Sequence, residues 1–264
     1  ATQPTPRSRQ IHLVPALVIA DARVQHGADD FSDAHLVARY APLDAVGVVG
    51  ISLSWLLIGY FVENGFFGRA SVAALMIEYR REWMKQFVSR EPRILDASIL
   101  GNLRQGTTFF ASTCLIAIGG GLAVIGNTEQ LLGLAEDLSL DNAPSLIWEV
   151  KILFFVLFMV NAMLKFVWSH RLFGYCSVIM ASVPNDRSDL SYARAAQAGE
   201  INITAARSFN RGLRSIYFAL SAAAWLLGPE ALIAATVMTV AILWRREFAS
   251  HSRAVLMQPL EEKP

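Results

Sequence analysis

The amino-acid sequence predicts an all-α protein, a polytopic bundle of helices that spans a membrane. Of its 264 residues, 54% are hydrophobic and only 17% are charged, whereas soluble domains carry about 25% charged residues. The apolar residues occur in long blocks, and the charged residues are concentrated between those blocks. This pattern is typical of helices that cross a bilayer, each of which needs about 20 largely apolar residues.

Four apolar blocks are long enough to be considered as spans. The first three cover residues 43–62, 107–125 and 148–168. The fourth covers residues 213–243 and is interrupted by Gly228, Pro229 and Glu230. Glycine is favoured just after a helix, proline at the first position of a new one, and an acid in its first turn. We therefore predict two short spans in a tight hairpin, which gives five spans. The alternative is four spans, with a last helix kinked at Pro229.

The charges between the blocks favour five spans over four. The segments 63–106 and 169–212 are rich in Arg and Lys, the segment 126–147 has neither, and Arg245 and Arg246 follow the last block. Basic residues mark the cytoplasmic side, and only five spans place all the basic segments there. The N-terminus is then outside and the C-terminus cytoplasmic. The excess of Arg over Lys and the abundance of Ala indicate a GC-rich bacterium, so we expect the bacterial inner (cytoplasmic) membrane.

Two segments on the basic side predict further, cytoplasmic helices. In the segment 71–87, apolar residues at steps of three and four form one face, made of Val72, Leu75, Met76, Tyr79, Trp83 and Phe87. This pattern predicts an amphipathic helix that lies at the membrane interface or docks on other helices. The segment 189–214 is rich in Ala, and we expect its Arg194, Arg207, Arg211 and Arg214 to lie at anionic lipid headgroups.

Several short motifs are distinctive when taken together. They are YRREWM at 79–84, REPRILD at 90–96, ILGNL at 99–103, GTTFFAST at 106–113, WEVK at 148–151, KFVW at 165–168, GP at 228–229 and RREF at 245–248. In these motifs the chain resembles the DUF599 family of bacterial and plant membrane proteins, over roughly residues 43 to 250, and the run 90–113 is the most specific part. The function of that family is undefined, so the resemblance implies an architecture and no reaction.

The resemblance and the apolar blocks divide the chain into three parts. Residues 1–42 are predicted to be an outer N-terminal extension, residues 43–248 a DUF599-like transmembrane domain, and residues 249–264 a C-terminal tail. The extension contains an apolar run at 11–20, which includes Pro15 and is too short to span a bilayer. We expect the extension to lie along a partner protein.

The sequence contains no motif that indicates catalysis. Its five histidines form no close pair at metal-ligand spacing, and it has neither a Walker loop nor a nucleophile elbow. A net charge of +1 gives no reason to expect a nucleic-acid partner. We therefore expect a protein that is not an enzyme and that binds no metal or other cofactor.

Three polar residues are candidates for a transport path or an interaction site, because polar groups are costly inside a bilayer. Asn161 is the deepest strongly polar side chain of the third block. Lys165 lies about one turn inside the inner end of that block, and Glu63 lies at the end of the first block.

Three other candidates indicate packing. Gly119 with Ala123, and Ala117 with Gly121, form pairs of small residues four positions apart, which let two membrane helices approach closely. Trp83 lies on the predicted apolar face of the amphipathic helix. Each of these residues is suited to contact within the bundle or with another protein.

The expected function is that of a non-catalytic accessory or scaffolding protein of the membrane. It would act through contacts with the lipid bilayer and with other membrane proteins, as a subunit of a larger respiratory or photosynthetic complex. The alternative is a small transporter or channel with a polar path near Lys165 and Asn161.

Overall fold

The computed structural model describes residues 42–66, 68–127 and 145–258, of which 88% are helical, and it shows no strand among them. The helices are α1 (Pro42–Asn64), α2 (Val72–Ser89), α3 (Ile94–Ile125), α4 (Ser145–Ala181), α5 (Asp189–Ala223), α6 (Pro229–Phe248) and α7 (His251–Leu256). A short 3-10 helix, Ala224–Leu227, joins α5 to α6. The contacts between residues divide the chain into two units, residues 1–44 and residues 45–264. All the packing described below lies within the second unit. The predicted N-terminal extension up to residue 41 and residues 259–264 of the tail lie outside the described residues.

Helices α1, α3 and α4 are each long and apolar enough to cross a membrane. They confirm the predicted all-α bundle and its first three spans. Helix α3 begins at Ile94 and α4 ends at Ala181, so both continue well beyond their apolar blocks. Each helix therefore extends past its apolar block, and both extensions lie at the same end of the bundle, where many of the arginines are found.

The fourth apolar block forms a helical hairpin. Gly228 has a φ of 118°, a conformation that favours glycine, and α6 starts at Pro229. The hydroxyls of Ser221 on α5 and Thr239 on α6 are 2.8 Å apart, a distance that one continuous helix does not allow. The hairpin prediction is thus confirmed, and the single kinked helix is wrong.

Neither arm of this hairpin is among the helices that are long and apolar enough to span. Helix α6 has only 20 residues, and four of them are charged, namely Glu230, Arg245, Arg246 and Glu247. The total of five spans therefore stays a prediction, supported by the reversal of the chain but not by the composition of its last two arms.

The centre of the bundle lies where α4 meets α5, which is the most extensive contact between two described helices. Phe166 of α4 is fully buried, and its ring lies against Gly212 of α5. A Cβ atom at position 212 would lie 2.8 Å from that ring, so only glycine allows this close approach. On the other side, Phe110 of α3 stacks on Phe166 with ring centroids 5.3 Å apart.

Helix α2 packs on α5, as the amphipathic pattern of residues 71–87 predicts in outline. The predicted face is partly wrong, because Met76 and Tyr79 are 36% and 46% exposed whereas Met84 is 1% exposed. The helix is rotated because Met84 packs against Gly199 of α5, where a Cβ atom would lie 3.2 Å from the Met84 side chain. The same rotation brings Arg80 to Asn202 of α5.

Candidate functional site

Glu63, in the last turn of α1, pairs with two arginines of α5. Its Oε1 accepts hydrogen bonds from Arg211 Nε at 2.8 Å and from Arg214 Nη2 at 2.6 Å, and its Oε2 accepts from Arg211 Nη2. The Arg214 side chain is 7% exposed and that of Arg211 is 46% exposed. The prediction of a lipid-headgroup position is therefore wrong for Arg214, which is buried and bonded to a carboxylate 151 positions away along the chain. We call these three residues the Glu63 cluster.

The other two polar candidates lie on α4 and differ in their surroundings. Asn161 Nδ2 donates a hydrogen bond to Ser215 Oγ of α5 at 2.6 Å, a bond between two packed helices. Lys165 is partly buried and forms no hydrogen bond or ion pair with the described residues. Glu63, Asn161 and Lys165 share no hydrogen bond or ion pair in this part of the chain; Asn161 and Lys165 lie one turn apart on α4, and Glu63 is bonded to α5 instead.

A second polar cluster joins α2 to the start of α3, and its central residue was not among the candidates predicted from the sequence. Asp96 is fully buried, and its Oδ1 accepts from Trp83 Nε1 at 2.6 Å and from Arg90 Nη1 at 2.5 Å. Trp83, predicted to lie on an interaction face, thus acts as a donor inside the protein. The Asp96 carboxylate also lies in the first turn of α3, where the helix dipole favours a negative charge. We call Asp96, Trp83 and Arg90 the Asp96 cluster.

Arg93 ties this region to the loop between α4 and α5. Its guanidinium donates to the carbonyl oxygens of Val183 at 2.9 Å, Pro184 at 2.9 Å and Val88 at 3.3 Å. It also lies 4.5 Å from the centre of the Phe87 ring. The one signal that could have shown these roles is the motif at 90–96, in which three charged residues and a proline directly precede a long apolar helix.

The glycines of α3 divide between two faces of the helix. A Cβ atom at Gly121 would lie 2.6 Å from Val156 of α4, whereas one at Gly119 would meet nothing within 4 Å. The predicted close approach of helices is therefore confirmed at Gly121. Gly119 and Ala123 are exposed and pack against no other described helix.

We expect Gly121→Ala to lower the free energy of unfolding by about 2 kcal/mol, because Val156 is stiff and cannot move away from the new methyl group. Gly119→Ala is the matched control, and we expect it to be neutral or slightly stabilising, because alanine favours helix. Thermal unfolding of the two purified variants in the same detergent measures the difference. Equal midpoints would contradict the close packing of α3 on α4.

The fold defines the class of this protein, which is a helical membrane protein. Buried ion pairs join its helices at one end of the bundle. A family model described as "Protein of unknown function, DUF599" matches residues 46–252. The chain belongs to this family, as its motifs predict. No curated protein and no solved structure matches the chain.

Proposed function

We propose that this protein is a non-catalytic accessory or scaffolding subunit of a larger membrane complex, of the respiratory or photosynthetic kind, in the bacterial inner membrane. The observation that supports the proposal is the outer face of α3. Among the described helices α3 packs mainly on α4. In its most apolar stretch 6% of the residues are buried, against 22% for α1 and 39% for α4.

A stripe of small and polar residues runs along this outer face. It consists of Gly101, Thr108, Ser112, Gly119 and Ala123, all exposed and spaced by four or seven residues. Ser112 lies within the apolar stretch, and its hydroxyl has no hydrogen-bond partner among the described residues. Small residues and hydroxyls are typical of surfaces where one membrane helix packs on another. We call this surface the α3 stripe.

The orientation that we propose places the N-terminus outside and the C-terminus in the cytoplasm. It is supported by the basic residues at the end of the bundle where α1 ends and α2 begins, because basic residues favour the cytoplasmic side. A transport path is the less favoured candidate, because Glu63 and Asn161 are bonded to different groups and Lys165 forms no hydrogen bond or ion pair with either of them in the described part of the chain.

The proposal is tested by purifying the tagged protein from its native membrane in mild detergent, followed by a native gel and mass spectrometry. We expect a stoichiometric complex with other membrane proteins. Gly119→Leu should weaken this complex about tenfold or more by blocking helix approach. Gly120→Leu, on the same helix but off the stripe, is the matched control and should keep it. A wild-type protein that purifies alone would overturn the proposal.

A further inference from the structure

A groove lined by arginines lies between α2, α5, α6 and the start of α7. Its volume is about 290 Å³. Arg80 of α2, Arg207 of α5 and Arg246 of α6 line it, together with the polar side chains of Asn210, Glu247, Ser250 and Ser252. We call it the arginine groove. The Glu63 cluster adjoins it, since a smaller cavity lined by Glu63 and Arg214 is also lined by Arg207 and Asn210.

The groove has more positive than negative charge. Its only carboxylate among the described lining residues is that of Glu247, and both oxygens of this carboxylate already have a partner. Oε2 accepts from the backbone N–H of Ala73 at 3.1 Å, and Oε1 lies 3.4 Å from Arg246 Nη2. Three arginine side chains therefore line the groove together with one carboxylate, whose oxygens already have partners within the protein.

Two of the three arginines have no carboxylate partner among the described residues. Arg80 donates to the neutral amide oxygen of Asn202, and burial lowers its pKa. Arg207 is exposed and forms no hydrogen bond or ion pair in the described part of the chain. Because a charge taken out of water is stabilised by an opposite charge, an anion in the groove would complete the site.

The donors in the groove suit a phosphate group. Guanidinium groups bind phosphate oxygens through two parallel N–H bonds. Asn210 and Ser252 add an amide and a hydroxyl that have no other partner among the described residues. The remaining lining residues are apolar, and we call them the apolar wall; they are Val72, Ala73, Met76, Ile77, Ile203 and Ala206.

The position of the groove indicates where the phosphate comes from. The smaller cavity beside it is lined by Val62 and Glu63, which are in the last turn of the apolar helix α1. The groove thus lies level with the end of a helix that is able to span a membrane, where phospholipid headgroups are found. Its apolar wall matches the first methylenes of the acyl chains of a lipid.

We propose that the arginine groove binds a phosphate group, and that an anionic phospholipid headgroup supplies it. This site is independent of the α3 stripe. The phosphate would accept hydrogen bonds from Arg80, Arg207 and Arg246, and the first methylenes of the acyl chains would lie on the apolar wall.

The test uses the full-length protein in detergent, with thermal unfolding measured in the presence of phosphatidylglycerol, phosphatidylcholine or inorganic phosphate at matched ionic strength. We expect saturating phosphatidylglycerol to raise the midpoint by about 5 °C, and the other two ligands to have little effect. Arg207→Gln should weaken the apparent affinity for phosphatidylglycerol about tenfold, since it removes one charge-assisted contact. Its effect on the lipid-free protein should be small, because Arg207 has no partner in the described residues.

Arg245→Gln is the matched control, because Arg245 is exposed, lies beside Arg246 and does not line the groove. It should keep the response to phosphatidylglycerol. If inorganic phosphate alone raised the unfolding midpoint, and Arg207→Gln weakened that response while Arg245→Gln did not, the phosphate site would stand. The lipid as the source of the phosphate would then be overturned. An equal loss in both variants, or no response to any ligand, would overturn the site.

Discussion

Replacing Glu63 by glutamine is expected to lower the free energy of unfolding by about 3 kcal/mol. The substitution keeps the size of the side chain and removes the negative charge that Arg211 and Arg214 share. Arg214 is almost completely buried, so it cannot replace the lost carboxylate by turning to water. Its uncompensated charge therefore destabilises the contact between α1 and α5.

The exposed partner provides the control for this prediction. Arg211→Gln should lower the free energy of unfolding by about 1 kcal/mol or less, because the Arg211 side chain is 46% exposed and water screens its charge. Arg214→Gln should fall between these two values, because it removes the buried ion pair but leaves Glu63 paired with Arg211. Thermal or denaturant unfolding in one detergent gives all three values. If Arg211→Gln were as damaging as Arg214→Gln, burial would not be the reason for the effect.

Replacing Asp96 by alanine is expected to lower the free energy of unfolding by about 3 kcal/mol. The substitution leaves Arg90 without its carboxylate and the indole N–H of Trp83 without its acceptor. Both donors hold α2 against the start of α3. Trp83→Phe, which removes the N–H and keeps an aromatic ring, should have a smaller effect of about 1.5 kcal/mol.

The matched control for Asp96 is Asp189→Ala. Asp189 also lies in the first turn of a long helix, α5, but it is exposed. Its loss should remove only the interaction with the helix dipole, about 0.5 kcal/mol. Comparison of the unfolding midpoints of the two variants separates the contribution of the helix dipole from the contribution of the hydrogen bonds in the Asp96 cluster. Similar values for both would contradict the role given to Trp83 and Arg90.

The parts of the fold that follow from local sequence could be predicted. Long apolar blocks predicted α1, α3 and α4, because a helix in a bilayer satisfies its own backbone hydrogen bonds. Gly228 and Pro229 predicted the hairpin, because the glycine conformation and the proline at the start of α6 are local requirements.

The parts that depend on contacts between distant residues could not be predicted. The pair of Glu63 with Arg214 joins residues 151 positions apart, and nothing in the local pattern distinguishes a paired arginine from one at a lipid headgroup. The face of α2 was misjudged for the same reason. Arg80 lies against α5 because Asn202 accepts its hydrogen bond, whereas a prediction from the apolar pattern places an arginine on the solvent side.

The glycines show the same limit at the level of single residues. The spacing of Ala117 and Gly121 predicted a close helix contact, and the structure places Val156 there. Gly212, which has a similarly close neighbour in Phe166, was not predicted, because it lies in a segment of mixed polarity, where a small residue four positions away, Ser208, does not by itself mark a packing face.

The most direct test of the central claim, that the α3 stripe contacts another membrane protein, is photo-crosslinking in the native membrane from a probe placed at Ser112. We expect a protein adduct of one defined mass, identified by mass spectrometry. A probe at Leu57, which is 51% exposed on α1, should give mainly lipid adducts. Lipid adducts alone at Ser112, or the same protein adduct from both positions, would contradict the claim.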